Sequence, residues 1–374
     1  MGVIFSVSLC TTLFFNVYGL CTNDGEAVLL KSSHDSNRPE WGIHWVETFG
    51  QQRTRLLWES KPFTVVDDIM DAVIHSEASG ALLNVIGGQT MDIDTMFDPL
   101  FSQDCPSLGL LPLPERLQKK NSFALMIAYQ GSQFCGWQTQ PRSDLPSVQQ
   151  SIEEHLALLH GSRVDVRVSG RTDAGVSAIG QVCRFRSRKQ ISKEDVKAHM
   201  DCFPLSSRLK CLEVRDVADS FHPTFGATFR AYVYLIDDDT ISKDEVEKLN
   251  DMLRTLENKT LDYVGFSYGK VTTTSTNCTL RFARACSTES RKGRALCIQL
   301  VGDRFLRRMV RLLVATALSL SFETRGNQAL IELVQTQDRT LASTLAPPNG
   351  LIFVGAEFDV KSSLGNFQTR YIEM

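Results

Sequence analysis

From Asn121 onward, apolar residues recur first at every second position and then at helical spacing, in hairpin-like runs of strands broken by single helices. That order favours an α+β fold, with helices on one face of a largely antiparallel sheet, over a doubly wound parallel sheet. The free face of the sheet then offers a cleft. A strand is expected over 123–129, running into the glycine-containing loop 130–137. Ser147, with Gln150 three positions on, reads as the N-cap of a helix to about 159 whose apolar stripe is Ile152, Leu156 and Leu159. Val164, Val166 and Val168 alternate with Arg163, Asp165 and Arg167, the period of a half-buried strand, and a turn at 170–175 follows at once. Further strands are expected near 181–186, 211–217, 228–237, 279–287 and 294–301, and helices near 193–199, 243–256, 304–320 and 327–336.

Composition narrows the function classes. With 374 residues, 43% of them apolar and 22% charged, the chain is neither disordered, collagenous nor a repetitive coiled coil. The net charge of −3 hides an asymmetry: residues 1–120 carry 8 basic against 15 acidic side chains, and residues 121–374 carry 32 against 28. A polyanion partner therefore belongs to the second part. The ten cysteines include no Cys-x-x-Cys pair and the seven histidines end at His222, which argues against a structural zinc site. Thiols scattered through strands and helices read as small buried hydrophobes in a reducing compartment; whether that is cytoplasm or an organelle is left open.

Four regions follow. Residues 1–20 are apolar, and no charge occurs before Asp24; the segment resembles the core of a signal or a short anchor but lacks a basic n-region, so targeting segment and plain hydrophobic stretch both stand. Membrane contact is expected only if residues 1–20 are retained as an anchor. Residues 21–120 read as an acidic extension and linker holding Trp41, Trp45 and Trp58. An amphipathic helix fits 63–74, in what is expected to be a poorly packed accessory segment. Residues 121–236 and 237–374 are expected as two catalytic subdomains.

Two features bear on chemistry. Gly170-Arg-Thr-Asp-Ala-Gly-Val176 sets one carboxylate, Asp173, between glycines directly after a strand. Such a loop presents a side chain and lets another chain approach its backbone, with Arg171 in reach of a polyanion. Taken alone, it is more commonly a turn whose Asp satisfies its own backbone. The second feature is the set Arg304, Arg307, Arg308 and Arg311, which on a helix from 304 share one arc of about 100°. Four cations without an interleaved acid point to a phosphate backbone or a buried carboxylate; a core helix with a solvated basic face is the plainer alternative.

In their order and spacing these segments resemble the TruA family of tRNA pseudouridine synthases. The resemblance covers about two thirds of the chain. It runs from Ala128-Tyr-Gln-Gly-Ser-Gln-Phe-Cys-Gly-Trp-Gln138 through the 170–176 loop, Gly180-Gln-Val182, Phe221-His222, Ala227-Thr-Phe-Arg-Ala-Tyr-Val-Tyr234 and Phe305-x-x-x-Met309-Val-Arg311 to Ala346-Pro-Pro-Asn-Gly-Leu351. It implies two pseudo-symmetric subdomains around an RNA-binding cleft, and isomerisation of uridine to pseudouridine in tRNA, within the anticodon arm, with neither metal nor cofactor. Asp173 would be the nucleophile and Arg171 the arginine that assists base flipping. Tyr232 would stack on the flipped ring and is a candidate for C5 deprotonation. Arg311 would pair with the catalytic Asp, and Leu351 would wall the uracil pocket. Arg304, Arg307 and Arg308 would then touch phosphates, along with Arg184, Arg186, Arg188 and Lys189. A single carboxylate fits this chemistry and argues against hydrolytic glycosidases, which want two.

Departures from the family pattern are Ser177 where His is usual, a short segment between Tyr234 and Phe266, and the acidic extension. Bacterial members suggest a homodimer. Two other functions remain open: an RNA-binding or RNA-folding module that has lost turnover, and a base-releasing glycosylase using the same Asp.

Overall fold

The computed structural model describes residues 48–59, 63–75, 122–138, 143–204, 207–238, 240–271, 273–288 and 293–358, and the backbone alone of 19–21, 27–29, 60 and 289–290. Nearly all of the apolar segment 1–20, and all of 76–121, lie outside the described residues. Two three-residue strands, β1 (Gly19–Cys21) and β2 (Ala27–Leu29), pair antiparallel. The helices α1 (Phe49–Ser60) and α2 (Thr64–His75) precede the main body.

The body is one nine-stranded sheet. Its strands are β3 (Ser122–Tyr129), β4 (Arg167–Val168), β5 (Ser177–Arg186), β6 (Leu209–Asp216), β7 (Ala227–Asp237), β8 (Thr260–Asp262), β9 (Asn277–Ser290), β10 (Gly293–Gly302) and β11 (Leu351–Phe358). They lie in the order β6-β3-β5-β11-β7-β10-β9-β8, with β4 added onto β5. Every pairing is antiparallel except β11 with β5. The helices are α3 (Val148–His160), α4 (Lys193–Asp201), α5 (Lys243–Arg254), α6 (Met309–Ser321) and α7 (Ala329–Thr336). The fold is thus α+β with a largely antiparallel sheet.

Most elements fall where their residues dictate. Ser147 accepts a hydrogen bond from Gln150 N at 3.1 Å and starts α3, and Gly161, at φ 75°, ends it. Reciprocal capping boxes, Ser192 with Asp195 and Ser242 with Glu245, start α4 and α5. Val164, Val166 and Val168 are buried and their charged neighbours exposed, although the ladder itself covers only Arg167–Val168.

Three elements depart from expectation. Strand β11 is a continuous apolar run, Leu351-Ile-Phe-Val-Gly-Ala-Glu-Phe358, buried at nearly every position because it lies in the middle of the sheet between β5 and β7. It therefore has no period of two to read. The helix expected from 304 begins only at Met309, because Arg308 sits in the left-handed region at φ 59° and the carbonyl of Arg307 is taken by Tyr268 N. The four arginines accordingly do not share one helical arc.

The third departure is the extension. Residues 48–59 and 63–75 are docked on the body rather than poorly packed: Val65, Val66, Ile69, Met70, Val73 and Ile74 of α2 are all buried. Burial of six such side chains is worth roughly 1.5–3 kcal/mol each as an upper bound. Asp237 at the end of β7 accepts from Thr64 Oγ1 (2.7 Å) and Val65 N (3.0 Å), holding the start of α2. Helix α1 is fastened by Thr48 to Glu323 and by Arg53, which pairs with Glu245 and lies 4.1 Å over the Phe322 ring.

A histidine pair joins α3 to α4. His155 and His199 stack at 4.1 Å, and each ring Nε2 bonds the other's backbone carbonyl at 2.8 Å. Burial lowers His155 below its usual value; the hydrogen bond to the His199 carbonyl opposes the fall and the charge of the His199 ring adds to it. The unfolded chain then binds a proton that the folded chain resists, so this site's stability is complete above pH 6.5 and is lost as pH falls through the lowered folded value. Melting is expected at lower temperature at pH 5 than at pH 7.5, with a shallower drop in His155→Phe; thermal scans across that range check it.

Candidate active site

The bend 170–175 is held from below and leaves Asp173 partly open, its side chain 30% exposed. Gln181 Nε2 donates to Gly170 O (2.7 Å), Tyr129 shares a hydrogen bond with Thr172 Oγ1 (2.9 Å), and Trp137 N donates to Thr172 O (3.1 Å). Burial pushes the Tyr129 hydroxyl up to about 12, so it serves Thr172 as a neutral partner. Val176 N closes the turn onto Asp173 O at 3.2 Å. Two glycines are required by space as well as by backbone. At Gly136 (φ 103°) a Cβ would lie 2.9 Å from Ala174 N, and at Gly175 (φ 82°) it would lie 2.9 Å from Pro348 Cγ. The bend is wedged between the 131–137 loop and the turn Pro347-Pro348-Asn349-Gly350.

Arg311, in the first turn of α6, donates from Nη1 to Asp173 Oδ2 at 3.0 Å and from Nε to Ala346 O at 2.7 Å. One guanidinium thus reads two acceptors and fixes the carboxylate's direction. Arg308 Nε lies 3.4 Å from the same Oδ2, and its guanidinium stands 4.2 Å over the Tyr268 ring. Asp173 Oδ1 takes no hydrogen bond among the described residues. The site therefore offers a carboxylate with one oxygen clamped by two cations and the other open.

An aromatic wall adjoins it. Tyr232 on β7 packs edge-on to Phe305 and Phe353, each with ring centroids 5.1 Å away. Opposite, a Cβ on Gly170 would be 3.8 Å from the Tyr232 hydroxyl. Burial raises Tyr232 far above the usual tyrosine value, and the negative charge of Asp173 adds to the rise. A hydroxyl kept neutral in this way favours stacking and hydrogen-bond donation over accepting a proton as phenolate.

The other expected site residues are placed as follows. Arg171 is exposed and makes no ion pair or hydrogen bond among the described residues. Leu351 opens β11, is buried, and pairs with Tyr234 across the ladder. Arg304 donates to Thr273 Oγ1 (2.7 Å), Arg307 lies 5.9 Å from the Tyr268 ring, and Arg308 turns inward to Asp173. Ser177 Oγ accepts from Gly131 N (3.0 Å), so the hydroxyl ties the first loop to β5. Sequence reasoning did not single out Phe305, Phe353 and Tyr268 as site residues. Phe353 lies opposite Tyr232 in the β11–β7 register, which the unalternating run of β11 does not announce, and the stacking of Arg308 on Tyr268 had no local signal either.

A family model described as tRNA pseudouridine synthase matches residues 125–225 and 260–359. The tRNA pseudouridine synthase A of Borreliella burgdorferi is 31% identical over 238 residues, which is 60% of this chain and 94% of the relative. That of Bdellovibrio bacteriovorus is 33% identical over 239 residues, 60% of this chain and 90% of the relative. That of Francisella philomiragia is 27% identical over 266 residues, 68% and 98% respectively. The chain belongs to the tRNA pseudouridine synthase family and is a cofactor-independent isomerase of that class.

Proposed function

We propose that the protein isomerises uridine to pseudouridine in the anticodon arm of tRNA, with Asp173 as nucleophile. The observation that carries this reading is the open Oδ1 of a carboxylate whose Oδ2 is held 3.0 Å from Arg311. A uridine stacked in RNA cannot present its ring or ribose, so it is extruded at a cost of a few kcal/mol, roughly, offset by contacts to the rest of the RNA. Arg171, exposed and without an ion pair or hydrogen bond among the described residues, fills the space the base leaves. The Asp173 carboxylate attacks C1′ or the ring, and the bond from N1 to C1′ breaks. The uracil turns while Tyr232 stacks on it and Leu351 walls it. C5 then bonds to C1′ as the carboxylate departs, the C5 proton passes to solvent, and N1 takes up a proton, so that the product is an isomer of the substrate. Arg304 and Arg307 contact phosphates, and Arg308 shares the clamp on Asp173.

A groove of about 1060 Å³ beside β4 and β5 supports a polyanion partner. Five arginines line it: Arg163, Arg167, Arg184, Arg186 and Arg188, against Asp165 and Asp219. Arg184 is buried and bonded to the Asp219 carbonyl (3.2 Å), and Lys189 Nζ donates to Leu159 O (3.2 Å), so both serve the protein itself. Arg163 and Arg188 are exposed, without an ion pair among the described residues. RNA affinity is expected to fall steeply with salt, and each of Arg163→Ala and Arg188→Ala should reduce the log–log salt slope by about 1. Filter binding between 50 and 300 mM salt checks it.

The function itself is tested by incubating the protein with unmodified tRNA transcripts and mapping pseudouridine. Modification in the anticodon arm supports the reading, and modification only elsewhere contradicts the placement. RNA binding with no product on any transcript supports the inactive-module alternative, and release of free uracil supports a glycosylase.

A further inference from the structure

We infer that two side chains of the N-terminal helical extension, Trp58 and Phe63, act through Tyr234 as positioning residues for the arginine that aims Asp173. The inference rests on Asp173 and Arg311 acting as proposed above. Both aromatic residues lie outside the segments matched by the family model, so this support belongs to the chain's own extension.

Arg311 aims the Asp173 carboxylate. Its direction depends on Ala346 O, which accepts from Nε at 2.7 Å while Nη1 reaches Asp173. Ala346 opens the turn Ala346-Pro-Pro-Asn-Gly350, whose two prolines have no N–H to donate. The turn closes on itself through Leu351 N to Pro348 O and meets α6 where Ala346 N donates to Arg311 O at 3.3 Å; the groups packed on either side set where it lies. On one side Pro348 packs on Gly175 of the catalytic bend. On the other, Tyr234 donates its hydroxyl to Pro347 O at 2.9 Å. Gly350 lies flat against the Tyr234 ring: a Cβ there would be 2.6 Å from Tyr234 Cζ and 2.8 Å from Phe63 Cε1.

Tyr234 is in turn held by the extension. Trp58 meets its ring edge-on at 5.8 Å and 64°, and Phe63 at 6.2 Å and 87°. Asp237, three residues further along β7, accepts from Thr64 and Val65 and so fixes Phe63 relative to the strand. Alternation along β7 sets Tyr232 and Tyr234 on one face, the first in the aromatic wall of the site and the second beneath the extension. A continuous path of contacts therefore runs from Phe63 and Trp58 through Tyr234, Pro347 and Ala346 to Arg311 and Asp173.

Displacing reacting groups by about 1 Å costs up to about a hundredfold in rate. In steady-state assays on tRNA, Phe63→Ala is expected to lower kcat about tenfold with KM changed less than twofold, and Phe63→Leu to recover most of the loss. Tyr234→Phe keeps the ring and removes only the bond to Pro347, so it tests the path without opening a cavity; a kcat decrease of about fivefold at constant KM is expected. Val196→Ala opens a cavity under α4, which packs on β6 and α3 and not on the extension, and should lower the melting temperature while leaving kcat unchanged. The inference is overturned if folded Phe63→Ala and Tyr234→Phe both turn over at the wild-type rate. It is equally overturned if Val196→Ala loses as much kcat as Phe63→Ala at a similar melting temperature. An inactive wild type would instead overturn the reading of the site on which this rests.

Discussion

Asp173→Asn is expected to abolish turnover while leaving RNA binding within a few fold of wild type. The substitution preserves shape and removes the charge and the nucleophilic oxygen. Because the step it removes has no substitute among the neighbouring side chains, the loss should be at least about 10⁴-fold, the scale seen when a nucleophile is deleted from an enzyme whose binding machinery stays intact. Folding should survive, since Asp173 is partly exposed and the bend is held by Gly170, Thr172 and Val176 through other contacts. Single-turnover rates with saturating enzyme measure the effect, and a parallel binding titration shows that the RNA still docks. Residual activity within tenfold of wild type would assign the nucleophile elsewhere.

Arg311→Lys is expected to cost nearly as much as Arg311→Ala, each about 10²- to 10³-fold in kcat, the range found for removal of one preorganised donor. The reason is geometric. Arg311 spans two acceptors with two different nitrogens, Nη1 to Asp173 and Nε to Ala346 O. A lysine ammonium delivers a point charge and cannot hold both at once. Arg308, 3.4 Å from the same carboxylate oxygen, keeps a cation in place in either variant, so the defect should appear in kcat more than in RNA affinity. If the lysine variant recovered wild-type kcat, charge alone would suffice and the orienting role of Ala346 would fall.

Much of this arrangement was legible in the chain because it is local. The 170–176 bend follows a strand whose alternation is explicit, its Gly175 takes the left-handed turn that glycine favours, and Ser147 caps α3 as its side chain predicts. Arg311 was identified, but from resemblance; the periodicity that grouped it with Arg304, Arg307 and Arg308 assumed a helix through 304–308 that a left-handed Arg308 interrupts. What stayed hidden is set by tertiary contacts. Strand β11 has no alternation because both its faces are buried, and it is the strand that brings the 346–350 turn to the nucleophile. Packing of α2 was hidden for a related reason: an amphipathic stripe at 63–74 tells which face is apolar and not what covers it. The inward turn of Arg308 depends on Tyr268, forty residues away in sequence.

The central claim is that Asp173 drives migration of the glycosidic bond from N1 to C5, a change that must expel the C5 hydrogen. Release of tritium from tRNA carrying [5-³H]uridine, followed in a single turnover, measures that event itself. The account predicts one tritium freed to water per modified site by the wild type, with no free uracil, and none by Asp173→Asn at equal bound RNA. Tritium release by the asparagine variant at the wild-type rate, or RNA bound by the wild type with no release at all, would contradict it.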